Sequence, residues 1–420
     1  MTMHSATLAI NETIRSKTAT GEKVLHLGFG EAGLPVPTFV LDVLREAAPL
    51  NGYGPVVGSQ NARDAAASWF SRREAETQAH QIIFAPGSKP LLFALIAALE
   101  GDLVIPQPAW VSYAAQADLL GKGLIRVPVG ENAGGVPSPG LLRDALNTAI
   151  ANGQNPGILL LTVPDNPTGT VATEQDVKAV AEIAREYGLA VISDEIYAEV
   201  VHEGAAPSAL TYYPEQTVIT SGLSKSMALG GWRIGFARVP DNEWGRDLMD
   251  RLVGVASEIW SALAAPMQAV AAYVLSDPKE VLEHISLTKQ LHARVAKAVH
   301  DEFVAVGAIC RPPTAGFYLY PDFESLRDHL SAQEIHTSGD LASVLLERFG
   351  IGVLPGSAFG EPEQALRLRV ATSLLYGTTE EQRWQSLKSD DPTSLPWIAE
   401  SLVFLRDGLN GLIRNRGLNR

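Results

Sequence analysis

From Gly157 to Val163 the chain reads Gly-Ile-Leu-Leu-Leu-Thr-Val, without a charge, and then breaks into Pro164-Asp165-Asn166-Pro167-Thr168-Gly169. A strand with one wet face alternates polar and apolar residues. An unbroken apolar run instead predicts a strand covered on both faces, as in a parallel sheet held between helices. The same grammar recurs along the chain. Ile82-Ile83-Phe84-Ala85 runs into Pro86-Gly87-Ser88-Lys89-Pro90, and Leu189-Ala190-Val191-Ile192-Ser193 runs into Asp194-Glu195-Ile196-Tyr197. Leu103-Val104-Ile105 ends in a proline-rich loop carrying Trp110, and Val218-Ile219-Thr220 leads into Ser221-Gly222. Helical patterns follow at Leu91 to Glu100 and over residues 174–187. Strand, turn and helix in repetition predict an α/β fold. Ligands of such folds sit at the C-terminal edge of the strands, so the turns are where chemistry is expected.

At 420 residues, 46% hydrophobic and 19% charged, the chain is too long for one small domain and two are expected. A helix-rich, charge-alternating stretch from about Met267 to Ala305 reads as the connector into the second domain. Beyond it, Gly316 to Tyr320 and Ile351 to Gly360 read as strands and a loop of a small α+β unit, and residues 394–412 as a closing amphipathic helix. Residues 1–20 are polar and helix-compatible. A net charge of -14 and a pI near 5.1 argue against a nucleic-acid surface. The longest strongly apolar run, Leu91 to Leu99, is too short to cross a bilayer, and Met1-Thr2-Met3-His4-Ser5 lacks the pattern of a secretory leader. A single cysteine, Cys310, excludes an intramolecular disulfide and a thiolate metal cluster. Asp194-Glu195 has no histidine at ligand spacing beside it, so no metal is expected. These features together predict a cytoplasmic protein without a membrane or nucleic-acid partner.

Among the turns, Ser221-Gly222-Leu223-Ser224-Lys225-Ser226-Met227-Ala228-Leu229-Gly230-Gly231-Trp232-Arg233-Ile234-Gly235 is the one that most suggests reactivity. Lys225 sits among hydroxyls and glycines, and its nearest acids in the chain are Glu215 and Asp241. Such a setting can make an amine nucleophilic, as Schiff-base chemistry requires. The strand, Gly-Ser turn and helix start at residues 82–91 form an anion cup, because unpaired N–H groups and the positive helix end face the ligand. Arg367 and Arg369 share one strand face, since side chains repeat every second residue. Only one of them need bind substrate.

Taken in order, these segments resemble the fold-type I pyridoxal-phosphate enzymes, in the aspartate aminotransferase-like class I/II aminotransferase family. The resemblance implies a three-layer sandwich on a mixed, mostly parallel seven-stranded sheet, formed by residues 46–280. Residues 281–420 would form the small α+β domain, joined by residues 1–45. It implies that Lys225 is the aldimine lysine and the base that takes the α-proton. Pyridoxal 5'-phosphate would be held by Ser88, Lys89, Ser224 and Arg233 around its phosphate, with Trp110 stacked on the ring. Asp194 would pair with the pyridinium nitrogen, while Asn166 and Tyr197 meet the ring oxygen. Tyr53, in Asn51-Gly52-Tyr53-Gly54-Pro55-Val56-Val57-Gly58, would reach the phosphate of a neighbouring subunit, making a homodimer with shared sites.

For the substrate, the resemblance implies a contact from the Gly30 backbone and, by the alignment of Ala371-Thr372-Ser373 and the distance from Phe359-Gly360, selects Arg367 as the carboxylate fork. Arg369 then stands where the family pattern is usually small and uncharged, as a structural residue or a side-chain selector. Gly222 replaces a common phosphate-binding serine, leaving Ser221 or Ser224 to compensate. The implied reaction moves an amino group from an α-amino acid to a 2-oxo acid. An alternative on the same scaffold is elimination, replacement or ring closure, for example on S-adenosylmethionine, which Ala109, Gly222 and Arg369 keep open.

Overall fold

The computed structural model describes residues 6–73 and 75–414, so the leader-like comparison of Met1 to Ser5 lies outside the described residues. Strands are numbered along the chain. Leu25–His26 is β1, Ile82–Ala85 is β2, Asp102–Gln107 is β3, Leu124–Pro128 is β4, Pro156–Thr162 is β5 and Ala190–Asp194 is β6. Thr217–Gly222 is β7, Gly235–Arg238 is β8, Tyr318–Leu319 is β9, Ile351–Gly352 is β10, Leu354–Pro355 is β11 and Leu368–Ala371 is β12.

Seven of these form the main sheet in the order β2-β8-β7-β6-β5-β3-β4. β8 runs antiparallel to both of its neighbours, and the other pairings are parallel. The unbroken apolar runs have the predicted cause. On β5, Ile158 and Leu160 enter one hydrophobic core while Leu159 and Leu161 enter another on the opposite face. All four are fully buried, each contributing roughly 2 kcal/mol of apolar burial. Helices such as Ser88–Ala98 and Glu174–Glu186 supply the two outer layers. The fold is therefore the expected three-layer α/β arrangement.

A second core gathers around Lys279–Ala305, a helix of 27 residues, and the three-stranded antiparallel sheet β11-β12-β9. β1 pairs in parallel with β10, which ties the start of the chain to its C-terminal part. The register of β12 against β9 sets Val370 opposite Leu319 and Ala371 opposite Tyr318, and the same register continues to a bridge between Arg367 and Asp322. This fixes which arginine faces which part of the molecule.

Candidate active site

A cavity of about 430 Å³ opens where β5, β6 and β7 end and the segment around Gly30 crosses. At one end Gly87 turns the chain with φ +97°, and the helix Ser88–Ala98 begins without a side-chain cap. Its first N–H groups are therefore available to an anion. Arg233 closes this end, and a Cβ on Gly87 would lie 2.2 Å from its Nη2. The glycine is required by both its backbone angle and the guanidinium. Arg233 itself is in the left-handed region, φ 58°, a strained conformation for a residue with a Cβ, of the kind that clusters at functional sites. Lys89 lies with its Nζ 4.9 Å from the centre of the Trp110 ring. Burial, and then the cations of Arg233 and Lys225, hold its amine below the ordinary lysine range.

The opposite wall carries a buried carboxylate. Tyr113 Oη donates to Asp194 Oδ2 at 2.8 Å and lies 2.9 Å from Thr162 Oγ1, while Thr220 Oγ1 donates to Asp194 Oδ1 at 3.3 Å. Burial pushes Asp194 up to about 6, against the opposing pull of Tyr113, a backbone N–H, Thr220 and the Lys225 ammonium. Tyr197 Oη lies 2.9 Å from Tyr318 Oη and accepts from Asn166 Nδ2 at 3.5 Å, and Asn166 Oδ1 is buried without a partner. Between the two ends, Lys225 Nζ donates to Gly30 O at 2.6 Å and lies over the rings of Tyr197 and Phe317 at 5.6 and 5.7 Å.

Four cations, Lys89, Lys225, Arg233 and Arg369, thus line a cavity whose carboxylates are Asp194 and Glu31. The excess suits an anionic occupant. A group with a phosphate at one end, an aldehyde in the middle and a ring nitrogen at the other would meet Arg233 and the helix start, Lys225, and Asp194 in that order. The unpartnered Asn166 Oδ1 and the uncapped helix start are further polar groups on this cavity left without a partner in the protein. The residues present fit pyridoxal phosphate.

Of the residues singled out from the sequence, Gly30, Ser88, Lys89, Trp110, Asn166, Asp194, Tyr197, Ser224, Lys225 and Arg233 line this one cavity. Tyr53 does not; it stands 95% exposed on its loop. Arg367 does not line it either. Its Nε donates to Asp322 Oδ2 at 2.8 Å and its Nη1 to Glu361 Oε1 at 2.9 Å, and it faces a second cavity. Arg369 is the arginine of that strand that lines the site. Ser224, rather than Ser221, is the nearby serine on the cavity wall. A side chain at Gly222 would strike the carbonyl of Ile234 at 2.6 Å, so the strand pairing itself excludes serine there. Glu195 points away from the cavity, accepting from Ser193 and Ser208. Tyr113, Thr162, Ile196, Tyr318 and Arg369 are lining residues to which sequence reasoning gave no contact with the cofactor.

The family model for aminotransferase class I and II matches residues 22–375 of this chain. The chain belongs to that family. Aspartate aminotransferase of Geobacillus stearothermophilus is 31% identical over 381 residues, covering 88% of this chain and 92% of the relative. The Bacillus subtilis aspartate aminotransferase is 30% identical over 384 residues, with 88% and 92% covered. Among solved structures, Thermus thermophilus aspartate aminotransferase with maleate superposes with a TM-score of 0.79 at 25% identity, covering 92% of this chain and 96% of that one. This class I and II aminotransferase is a pyridoxal-phosphate-dependent transferase of fold type I.

Proposed function

We propose that this aminotransferase carries its cofactor on Lys225 and uses the same Nζ, once free, to move the substrate's α-proton. The observation that carries this reading is the placement of Lys225 Nζ, held by Gly30 O, in a cavity with an anion cup at one end and a buried carboxylate at the other. When bound, pyridoxal phosphate supplies an aldehyde and a ring that accepts electrons from the substrate's α-carbon. Asp194 keeps the ring nitrogen protonated, and Tyr113 and Thr220 keep Asp194 ionised and aimed. Ser88, Lys89, Ser224 and Arg233 hold the phosphate, Trp110 covers the ring, and Asn166 with Tyr197 orients the ring oxygen. The net reaction exchanges the amino group of an α-amino acid for the carbonyl oxygen of a 2-oxo acid, with Lys225 Nζ accepting and returning one proton.

The exposed Tyr53 supports a homodimer in which that phenol completes the phosphate site of the other copy. The pairing of β1 with β10 supports residues 1–45 as a segment joining the small domain, 281–420, to the large one, 46–280. A cytoplasmic location agrees with the single, half-buried thiol of Cys310, which desolvation pushes up to about 11.

The test is to mix the cofactor-loaded protein with each of the twenty amino acids. Conversion of the cofactor to its amine form, with release of the matching 2-oxo acid, is expected for at least one donor. Release of ammonia, or an unchanged spectrum with every donor, contradicts the reading.

A further inference from the structure

Two phenols meet inside the cavity from parts of the fold that share no sheet. Tyr197 follows β6 of the main sheet and Tyr318 stands on β9 of the small one, and both are buried and line the cavity. Their Oη atoms lie 2.9 Å apart, and their rings meet edge to face with 5.6 Å between centres. Neither ring is free to drift. Pairing with Ala371 on β12 fixes the register of Tyr318, and a Cβ on Gly169, which has φ +71°, would lie 2.0 Å from Tyr318 O. The turn that presents Asn166 is thus seated on the backbone of Tyr318. On the other side, Tyr318 Oη lies 3.4 Å from Gly30 O, the carbonyl that accepts from Lys225 Nζ at 2.6 Å.

A phenol oxygen has one hydrogen to give and two lone pairs to fill. Tyr197 Oη already accepts from Asn166 Nδ2. If Tyr318 donates to Tyr197, both lone pairs of Tyr197 are filled and its hydrogen is left to point into the cavity. If Tyr318 donates to Gly30 O instead, the Tyr197 hydrogen is drawn to Tyr318 and none remains for an occupant. The separations favour the first arrangement, 2.9 Å against 3.4 Å, and the Gly30 carbonyl is already engaged by Lys225. The Arg369 guanidinium, 4.9 Å from the centre of the Tyr318 ring, draws charge from that ring and makes its hydroxyl the better donor. We propose that Tyr318 is a positioning residue, which donates to Tyr197 and so commits the Tyr197 hydrogen to the ring oxygen of the cofactor. The proposal rests on the aminotransferase reading, in which Tyr197 and Asn166 orient that oxygen, and adds a residue that acts through Tyr197. Burial, and then the Tyr318 hydroxyl, keep the Tyr197 phenol protonated by holding it well above the ordinary tyrosine range. A hydroxyl that accepts a hydrogen bond also donates a stronger one.

A donor at the ring oxygen weakens that oxygen's hold on the proton it shares with the nitrogen joining Lys225 to the cofactor, so this proton leaves at lower pH. The colour of the lysine-bound cofactor follows the same proton. The test is therefore to titrate the visible absorbance of the cofactor-loaded protein against pH in the wild type, Tyr318→Phe, Tyr197→Phe and the double variant. Phenylalanine keeps each ring in its packing and removes only the hydroxyl. The charged residues lining the cavity, Glu31, Lys89, Asp194, Arg233 and Arg369, are the same in all of these proteins, so differences between them report the hydroxyls. Tyr197→Phe is expected to raise the midpoint by about 1 to 2 pH units, as for loss of a hydrogen bond to a charged atom. Tyr318→Phe is expected to raise it by about 0.5 unit, the part owed to reinforcement of that bond. The double variant is expected to move no further than Tyr197→Phe alone. A lower midpoint in Tyr318→Phe means that Tyr197 had been donating to Tyr318, and overturns the proposal. An unmoved midpoint, or a double variant shifted beyond Tyr197→Phe, overturns it as well. A wild type with no pH-dependent colour contradicts the Lys225 reading itself, and the proposal falls with it.

Discussion

Two cavities share four walls in this molecule, each wall contributing residues a short step apart. Trp110, Asn166, Tyr318 and Arg369 face the first; Pro108, Thr168, Tyr320 and Arg367 face the second. The second is the larger, about 640 Å³ against about 430 Å³. Its charges are nevertheless balanced where they stand. Arg367 is held by Asp322 and Glu361, and Arg311 donates to the carbonyls of Glu131 and Gly130. The first cavity keeps a surplus of cations and a carboxylate pushed up to about 6. Unspent charge, rather than size, distinguishes the cavity that does chemistry from the one that joins two parts of the fold.

That contrast can be broken most severely at Asp194. Asp194→Asn is expected to cut turnover by roughly a thousandfold, the scale seen when a preorganised electrostatic partner is lost. It should also stabilise the cofactor-free protein. The folded carboxylate titrates near 6 and the unfolded one near 3.8, so stability is highest below the lower value and is lost as pH rises through the upper one. The asparagine avoids that loss, a gain of about 3 kcal/mol above pH 6 that vanishes below pH 4. Urea unfolding at pH 8 and pH 4 measures both limits.

Gly30→Ala comes next. The new methyl would press on Tyr318 Oη and Arg369 Nη1, so kcat/KM is expected to fall about tenfold to a hundredfold, the sensitivity of a positioned site to small displacements. Steady-state kinetics checks this. Tyr113→Phe removes one hydrogen bond to a charged group, which is worth about 1.5 kcal/mol and so roughly tenfold in rate. Because that bond lowers the titration point of Asp194, the acid limb of the kcat profile should move to higher pH. The smallest effect sharpens the contrast from the other cavity. Asp322→Asn should cost about 1 kcal/mol of stability by urea unfolding, as for a partly exposed ion pair, and leave kcat and KM unchanged.

The central strands of the main sheet were legible because their middles are short apolar runs bounded by turn residues, as in Ile158 to Leu161, whereas β4, which exposes Arg126, and β8 carry no such run. Most of the site was legible too, because each turn brings its own group: Lys225 after β7, Asp194 at the end of β6, Ser88 after β2. What could not be read depends on distance along the chain. Tyr113 and Asp194 meet although they are 81 positions apart, and Tyr197 meets Tyr318 from 121 away. The choice between Arg367 and Arg369 was hidden for a different reason. Strand alternation puts both on one face, and only the tertiary arrival of Asp322 and Glu361 commits the first of them.

Reduction of the cofactor-loaded protein with borohydride, followed by peptide mapping, bears most directly on the role of the lysine. A pyridoxyl mass on the peptide containing Lys225, and its disappearance in Lys225→Ala, is the expected result. The same mass on Lys89, which lines the same cavity, or on no lysine at all, would contradict it.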